Sequence, residues 1–228
     1  MSRRRFARRA GVWLAVAAAV AVVVFLIVQV SGGTGKLNNE EKQLLAQAPA
    51  ATTAAGCSSV NAVQPFNPES LDRAHIGSPN APATMPPLTA YRTIPPTSGP
   101  HNPVPLAAGQ YPDPPPIDQV IHSLEHGAVV VWYDPSALSS KELTDLQTFF
   151  LKRGETGKVI IAPYNYPDQK SAAKLPGGKQ MVLVAWHHMQ PCGKVSLPVA
   201  FDFVYHYDSG FRVTDYKGDA PEPSVPIS

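Results

Sequence analysis

Residues 128–162 read AVVVWYDPSALSSKELTDLQTFFLKRGETGKVIIA, and this stretch decides the fold. Ala128–Tyr133 is an unbroken apolar run rich in β-branched and aromatic residues, the pattern of a strand buried on both faces. After Asp134-Pro135, the residues Leu143, Leu146, Phe149 and Phe150 recur at helical spacing and make one apolar stripe. Ser139 and Glu142 spell a capping box, Leu138 and Leu143 suit a hydrophobic staple, and Lys152-Arg153-Gly154 reads as a basic last turn followed by a stop. Lys158–Ala162 opens a second strand, and Gln180–His188 supplies a third. Strand, helix, strand, strand predicts a mixed sheet with at least one crossover helix, hence an α/β or α+β fold with one or two packed helices. Further on, Phe201, Phe203, Tyr205 and Tyr207 alternate with Asp202, Val204 and His206. That alternation favours a strand but also fits a helix, so residues 198–216 stay open.

Working outward toward the N-terminus, Ile117, Val120, Ile121 and Leu124 recur at helical spacing after Pro114–Pro116, and Gly127 offers a stop. A short helix is expected over Ile117–His126. Residues 79–116 hold 13 of the 25 prolines. Proline lacks the N–H that both helix and sheet ladders need, so this stretch is expected as extended chain wrapped on the core. Tyr91, Ile94, Val104, Leu106 and Tyr111 are spaced to dock it.

Gly11–Val30 contains no charged side chain and one polar one, Gln29; 20 residues of helix would span about 30 Å, the thickness of a hydrocarbon core. Arg3, Arg4, Arg5, Arg8 and Arg9 precede it, which orients residues 1–10 to the cytoplasm and the rest outward. An uncleaved anchor is expected over a cleaved secretory signal, because the apolar run exceeds the usual signal core and no small-x-small site follows. Residues 31–56 read as a juxtamembrane linker around a short helix candidate at Glu40–Gln47, residues 57–220 as the extracytoplasmic domain, and 221–228 as a tail. The expected location is the cell membrane, single-pass.

The whole chain carries 19 Lys+Arg against 17 Asp+Glu, but five of the arginines lie in its first ten residues. The remainder is mildly acidic, so no nucleic-acid partner is expected. The membrane and a protein partner are. A 44% hydrophobic composition excludes a wholly disordered chain, and two cysteines exclude a disulfide-dense one. Outside the cytoplasm Cys57 and Cys192 are free to oxidise, and a single bridge between them is expected; two thiol metal ligands are the alternative.

Gly56-Cys57, Arg73-Ala74-His75, Tyr91 leading to PPTSGPHNPVP at 95–105, and HSLEHGAVVVWY at 122–133 occur together. The set resembles a bacterial family of membrane-anchored proteins known as domain of unknown function 3105. The resemblance covers most of residues 56–192, with Tyr216-Lys217-Gly218 and Pro221-Glu222 as a looser match beyond. It implies an extracytoplasmic domain defined by the PPTSGPH and HSLEHG segments, and it carries no activity with it.

Five of the seven histidines, His101, His122, His126, His187 and His188, lie in segments that can converge. His122 and His126 fall one helical turn apart, away from the apolar stripe, and two such imidazoles chelate zinc or copper with ligands borrowed elsewhere. His101, in the Ser98–Pro103 turn, is the expected third ligand. Met189 is a softer fourth that would suit Cu(I). Along a continuous strand His187 and His188 face opposite sides, so at most one joins. Glu125 is a second-shell group or a base: His122-Ser123-Leu124-Glu125-His126 also spells the inverted zinc-peptidase motif, with Asp202 as the downstream acid. A peptidase is disfavoured because Gly127 and a strand follow at once. His75 beside Arg73 reads as a structural pair. Two functions stay open: a metal-binding domain using copper or zinc, or a structural and interaction module in which His122 and His126 satisfy carbonyls of the Pro-rich wrap. A metal-dependent hydrolase is third, and an enzyme is less expected than not.

Overall fold

The computed structural model describes residues 36–152, 157–211 and 215–227. The expected span at 11–30 and the basic residues 1–10 lie outside them; among the described residues no helix is long and apolar enough to cross a membrane. Residues from Leu37 onward form one compact unit.

Its centre is a six-stranded mixed sheet in the order β1-β6-β5-β3-β4-β2, with β1 Asn61–Ala62, β2 Gly109–Gln110, β3 Val129–Tyr133, β4 Val159–Pro163, β5 Met181–Ala185 and β6 His188–Cys192. β3 and β4 are parallel, as their crossover requires, while β5 runs antiparallel to both β3 and β6. Every residue of β3, β4 and β5 is buried, which is why these runs are apolar throughout rather than alternating. Side chains of β3 still alternate between layers: Val129, Val131 and Tyr133 pack on one face of the sheet, Val130 and Trp132 on the other. The α+β architecture agrees with the expected mixed sheet.

The first face is covered by helices α1 (Asn39–Ala54), α3 (Lys141–Lys152) and α4 (Leu197–Tyr207). Leu143, Leu146, Phe149 and Phe150 are the buried stripe of α3. Its cap differs from the expected one by a residue. Ser140, not Ser139, accepts the Leu143 N–H at 3.1 Å, and Leu138 is 56% exposed, so no staple forms. Residues 197–207, open in sequence, are helical because Val199, Ala200, Phe201, Phe203 and Val204 share one buried side. Residues 39–54 are not linker: α1 starts at an Asn38/Glu41 capping box and buries Leu44 and Ala48. Cys57, just beyond it, is joined to Cys192 of β6 by the expected disulfide.

The second face carries α2 (Ile117–Glu125) and, instead of further helices, the Pro-rich wrap. Leu88, Tyr91 and Leu106 of the wrap are buried with Ile117, Val120, Ile121 and Leu124 of α2, and residues 95–101 are buried throughout. The site lies where this wrap meets the C-terminal end of α2.

Candidate metal centre

Two backbone segments and one helix end bring the site together. His101 N donates to Ala74 O at 3.0 Å and Ile76 N donates to His101 O at 2.8 Å, so the His75 and His101 strands of chain run side by side as an isolated parallel bridge. The turn before His101 depends on Gly99, whose φ is +122° and where a Cβ would lie 2.7 Å from Phe66 and 2.8 Å from Tyr91. Tyr91 Oη donates to Pro100 O at 2.6 Å and closes the turn. From the other side α2 supplies His122 and Glu125, one turn apart, and is capped by His126, with Gly127 after it in the left-handed conformation (φ +81°).

His75, His101, His122 and Glu125 each aim one ligand atom at a common point, all four atoms lying within 4.8 Å of one another. His101, His122 and Glu125 are almost wholly buried, and His75 is the half-exposed member. The rings pack closely, with His75 and His122 stacked at 4.9 Å between centroids and His101 4.9 Å from His122.

Backbone carbonyls fix which nitrogen carries each proton. A carbonyl oxygen only accepts, so His101 Nδ1–H donates to Gly99 O at 2.8 Å and His122 Nδ1–H donates to Asn102 O at 2.6 Å. Both Nε2 atoms are thereby lone pairs in the neutral rings, and they point inward. His101 Nε2 lies 3.1 Å from Glu125 Oε2, and the buried Nε2 atoms of both His75 and His101 lack a hydrogen-bond partner of good geometry. An unsatisfied buried polar atom costs about 1–3 kcal/mol, so these two nitrogens are a cost that a partner would relieve.

Burial and neighbouring charge act oppositely on His122 and Glu125. Burial first, then the neighbouring His101, His126 and His75 rings, push the His122 pKa down to about 4 against the raising effect of the Asn102 carbonyl, and the ring stays neutral. Glu125 shifts the opposite way from its burial. Desolvation would raise its pKa, but hydrogen bonds and charge from His101 and Arg73 bring it down to about 2, leaving a carboxylate. Arg73 Nε donates to Glu125 Oε1 at 2.6 Å and Arg73 Nη2 to Glu222 Oε1 at 2.8 Å.

Of the residues expected from sequence, His101 and His122 converge. His126 is adjacent but set to one side: its Nε2 lies 3.0 Å from His122 Nε2 and 3.5 Å from Glu222 Oε2, while Nδ1–H donates to Pro226 O at 3.1 Å. Glu125 offers a ligand atom itself, rather than standing behind one. His75, read as a structural partner of Arg73, is a member of the group; Arg73 instead pairs with Glu125 and Glu222. The tail is equally part of the neighbourhood, because Lys158 Nζ donates to His126 O, Pro223 O and Val225 O and so fastens it to the end of α2.

His187 and His188 stay outside. The run 180–188 is not one strand: it turns at Trp186-His187, with His187 at φ +55°, so strand alternation does not govern these two rings. Asp202 sits on α4 across the sheet and pairs with His206 at 3.6 Å, which removes the downstream acid that the peptidase motif needs. α2 also stops at Glu125 instead of continuing through the motif.

Comparison with known proteins agrees with the sequence motifs. A family model described as Protein of unknown function (DUF3105) matches residues 84–221. The chain belongs to this family. Within the DUF3105 match fall most of the Pro-rich wrap, α2 and the whole of β2 to β6, and therefore His101, His122 and Glu125; His75 and Cys57 precede it. No curated protein and no solved structure matches the chain.

Proposed function

We propose that this DUF3105 protein is a transition-metal-binding domain tethered on the outer side of a cell membrane, with His75, His101, His122 and Glu125 as the ligands. The observation that carries the reading is the gathering of three imidazoles and one carboxylate, mostly buried, with ligand atoms within 4.8 Å of one another and with Nε2 of both His75 and His101 lacking a hydrogen-bond partner. Three imidazoles and one carboxylate suit zinc or copper, and the set contains no sulfur that would favour Cu(I). The Nδ1 bonds to Gly99 O and Asn102 O are the outer contacts that hold metal-ligating histidines in one tautomer. The same bonds satisfy carbonyls of the wrap, so pinning and ligation use different nitrogens of one ring and do not compete. Membrane tethering is supported by the Gly11–Val30 run behind five arginines, and an oxidising compartment by the disulfide.

The test is to purify the full-length chain in detergent, strip it with chelator, and titrate it with Zn(II) and Cu(II). One ion per chain is expected, abolished by His101→Ala and His122→Ala. A stripped wild-type chain that takes up neither ion would overturn the reading and leave the structural module.

A further inference from the structure

A second histidine, outside the ligand group, is held between two carboxylates that belong to the two segments enclosing the site. His187 Nε2 lies 2.8 Å from Asp72 Oδ2, and His187 Nδ1 lies 3.5 Å from Asp219 Oδ2. Carboxylates on both ring nitrogens are the setting of an imidazolium, in which each nitrogen donates. His187 also carries positive φ, a backbone conformation that a non-glycine residue keeps only when its surroundings enforce it.

Asp72 is the junction of the ligand-bearing loops. Its Oδ1 accepts from Phe66 N and Ser98 Oγ, both at 2.6 Å, and its backbone carbonyl accepts from Gly99 N at 2.9 Å. It therefore holds the turn that presents His101 against the segment that presents Arg73 and His75. Asp219 belongs to the C-terminal segment that supplies Glu222 to Arg73 and the Pro226 carbonyl to His126.

We propose that the Asp72–His187–Asp219 bridge is the positioning device of the ion site: charged His187 clamps the ligand loops to the C-terminal segment, and loss of that charge speeds release of the ion. The inference rests on the ion-binding reading and adds its regulation by pH. The groups facing the ring are few. Asp72 and Asp219 flank it, Trp186 packs at 5.1 Å, and on the adjoining strand His188 Nδ1 lies 3.3 Å from Asp219 Oδ1 with the Tyr207 ring of α4 tilted against it at 4.7 Å. Burial works against the charged ring, but the hydrogen bond and charge of Asp72, with Asp219 adding, outweigh it and hold the His187 pKa above the ordinary histidine value. A raised pKa means that the clamp is fully present at low pH and fades as pH rises through the raised value.

The experiment loads the full-length chain with Co(II) and follows its capture by excess chelator as a function of pH, for wild type, His187→Gln and Asp219→Asn. Removing contacts that orient metal ligands weakens sites by roughly ten- to a hundredfold, and release by His187→Gln is expected faster in that range at near-neutral pH. Wild type should show an additional rise in release rate toward alkaline pH that His187→Gln lacks, with Asp219→Asn intermediate. The Co(II) absorption spectrum at saturation should match in all three, because none of them alters a ligand. A His187→Gln chain with the wild-type rate and the wild-type pH profile would overturn the clamp while leaving ion binding intact. Failure of the wild-type chain to take up Co(II) would instead sink the ion site itself, and the clamp with it.

Discussion

His122 Nε2 and His126 Nε2 stand 3.0 Å apart although both rings already give their Nδ1 protons to backbone carbonyls. Two lone pairs at that distance need a proton or a cation between or beside them. Replacing His126 by Gln puts an amide donor next to His122 Nε2. The expected result is an ion-free chain at least as resistant to heat as wild type, with weaker ion binding because the new N–H occupies a ligand lone pair. Thermal unfolding with and without Zn(II) checks both halves, and an unchanged affinity would show that His122 does not need a free Nε2.

Glu125 couples the ligand group to Arg73 and is buried, so Glu125→Gln tests charge separately from shape. The amide keeps the volume, but it removes the anionic ligand and leaves Arg73 with Glu222 alone. Ion affinity is expected to fall by at least tenfold, as measured by competition with a calibrated chelator. The lowered pKa of Glu125 means that the carboxylate also stabilises the ion-free fold at neutral pH. Glu125→Gln should therefore lower that stability as well, by up to about 3 kcal/mol in denaturant unfolding, less whatever solvent screening of the half-exposed Arg73 removes.

The sheet was legible because its three central strands are continuous apolar runs and because α3 has a clean stripe; both signals arise from burial that the sequence itself encodes. Half of the candidate site was legible for a similar reason. His122 and Glu125 lie on one helix, where spacing fixes geometry, and His126 caps it. His75 was not, since nothing local marks a lone histidine in a loop; its meeting with His101 is made by two backbone hydrogen bonds between segments separated by the Pro-rich wrap. α4 was ambiguous because aromatic residues at every second position fit a half-buried strand as well as a helix apolar on most sides. Docking of α1 was hidden by its composition, small and polar, with only Leu44 and Ala48 among its apolar residues fully buried. The turn at His187 was missed because it depends on a distant carboxylate, Asp72, rather than on glycine or proline.

Gly99→Ala probes the turn without touching a ligand. The added methyl would sit within 3 Å of Phe66 and Tyr91 at a φ that alanine avoids. The turn must shift, and His101 with it. Expected is a loss of stability of about 1–3 kcal/mol together with a drop in ion affinity larger than that produced by Gly177→Ala, where a Cβ meets nothing within 4 Å. Comparable affinities in the two variants would mean that His101 is not held by this turn.

The Cys57–Cys192 disulfide closes a loop of 135 residues and fixes the end of α1 to β6. Cys57→Ala with Cys192→Ala should lower stability by up to about 5 kcal/mol in the loop-entropy account. Ion binding should survive, because the bridge lies with the first face of the sheet and the ligands lie over the second. Denaturant unfolding and ion titration of the double variant check the two statements independently.

Asp208 gives a pH signature that belongs to the fold rather than to the ion. It is fully buried and accepts from Lys158 N at 2.9 Å and Gly210 N at 2.8 Å, holding the start of β4. Burial raises its pKa to about 7, against the lowering effect of those backbone donors and of Lys158. An acid whose pKa is higher folded than unfolded binds more protons in the folded state between about pH 4 and pH 7, so folding stability from this group declines as pH rises through that window. The decline is on the order of 4 kcal/mol at most. Asp208→Asn, which keeps an accepting oxygen but cannot ionise, should flatten the slope between these pH values relative to wild type, read from denaturant midpoints of the ion-free chain. Equal slopes in the two proteins would mean that Asp208 is ionised throughout and that its backbone donors outweigh the cost of its burial.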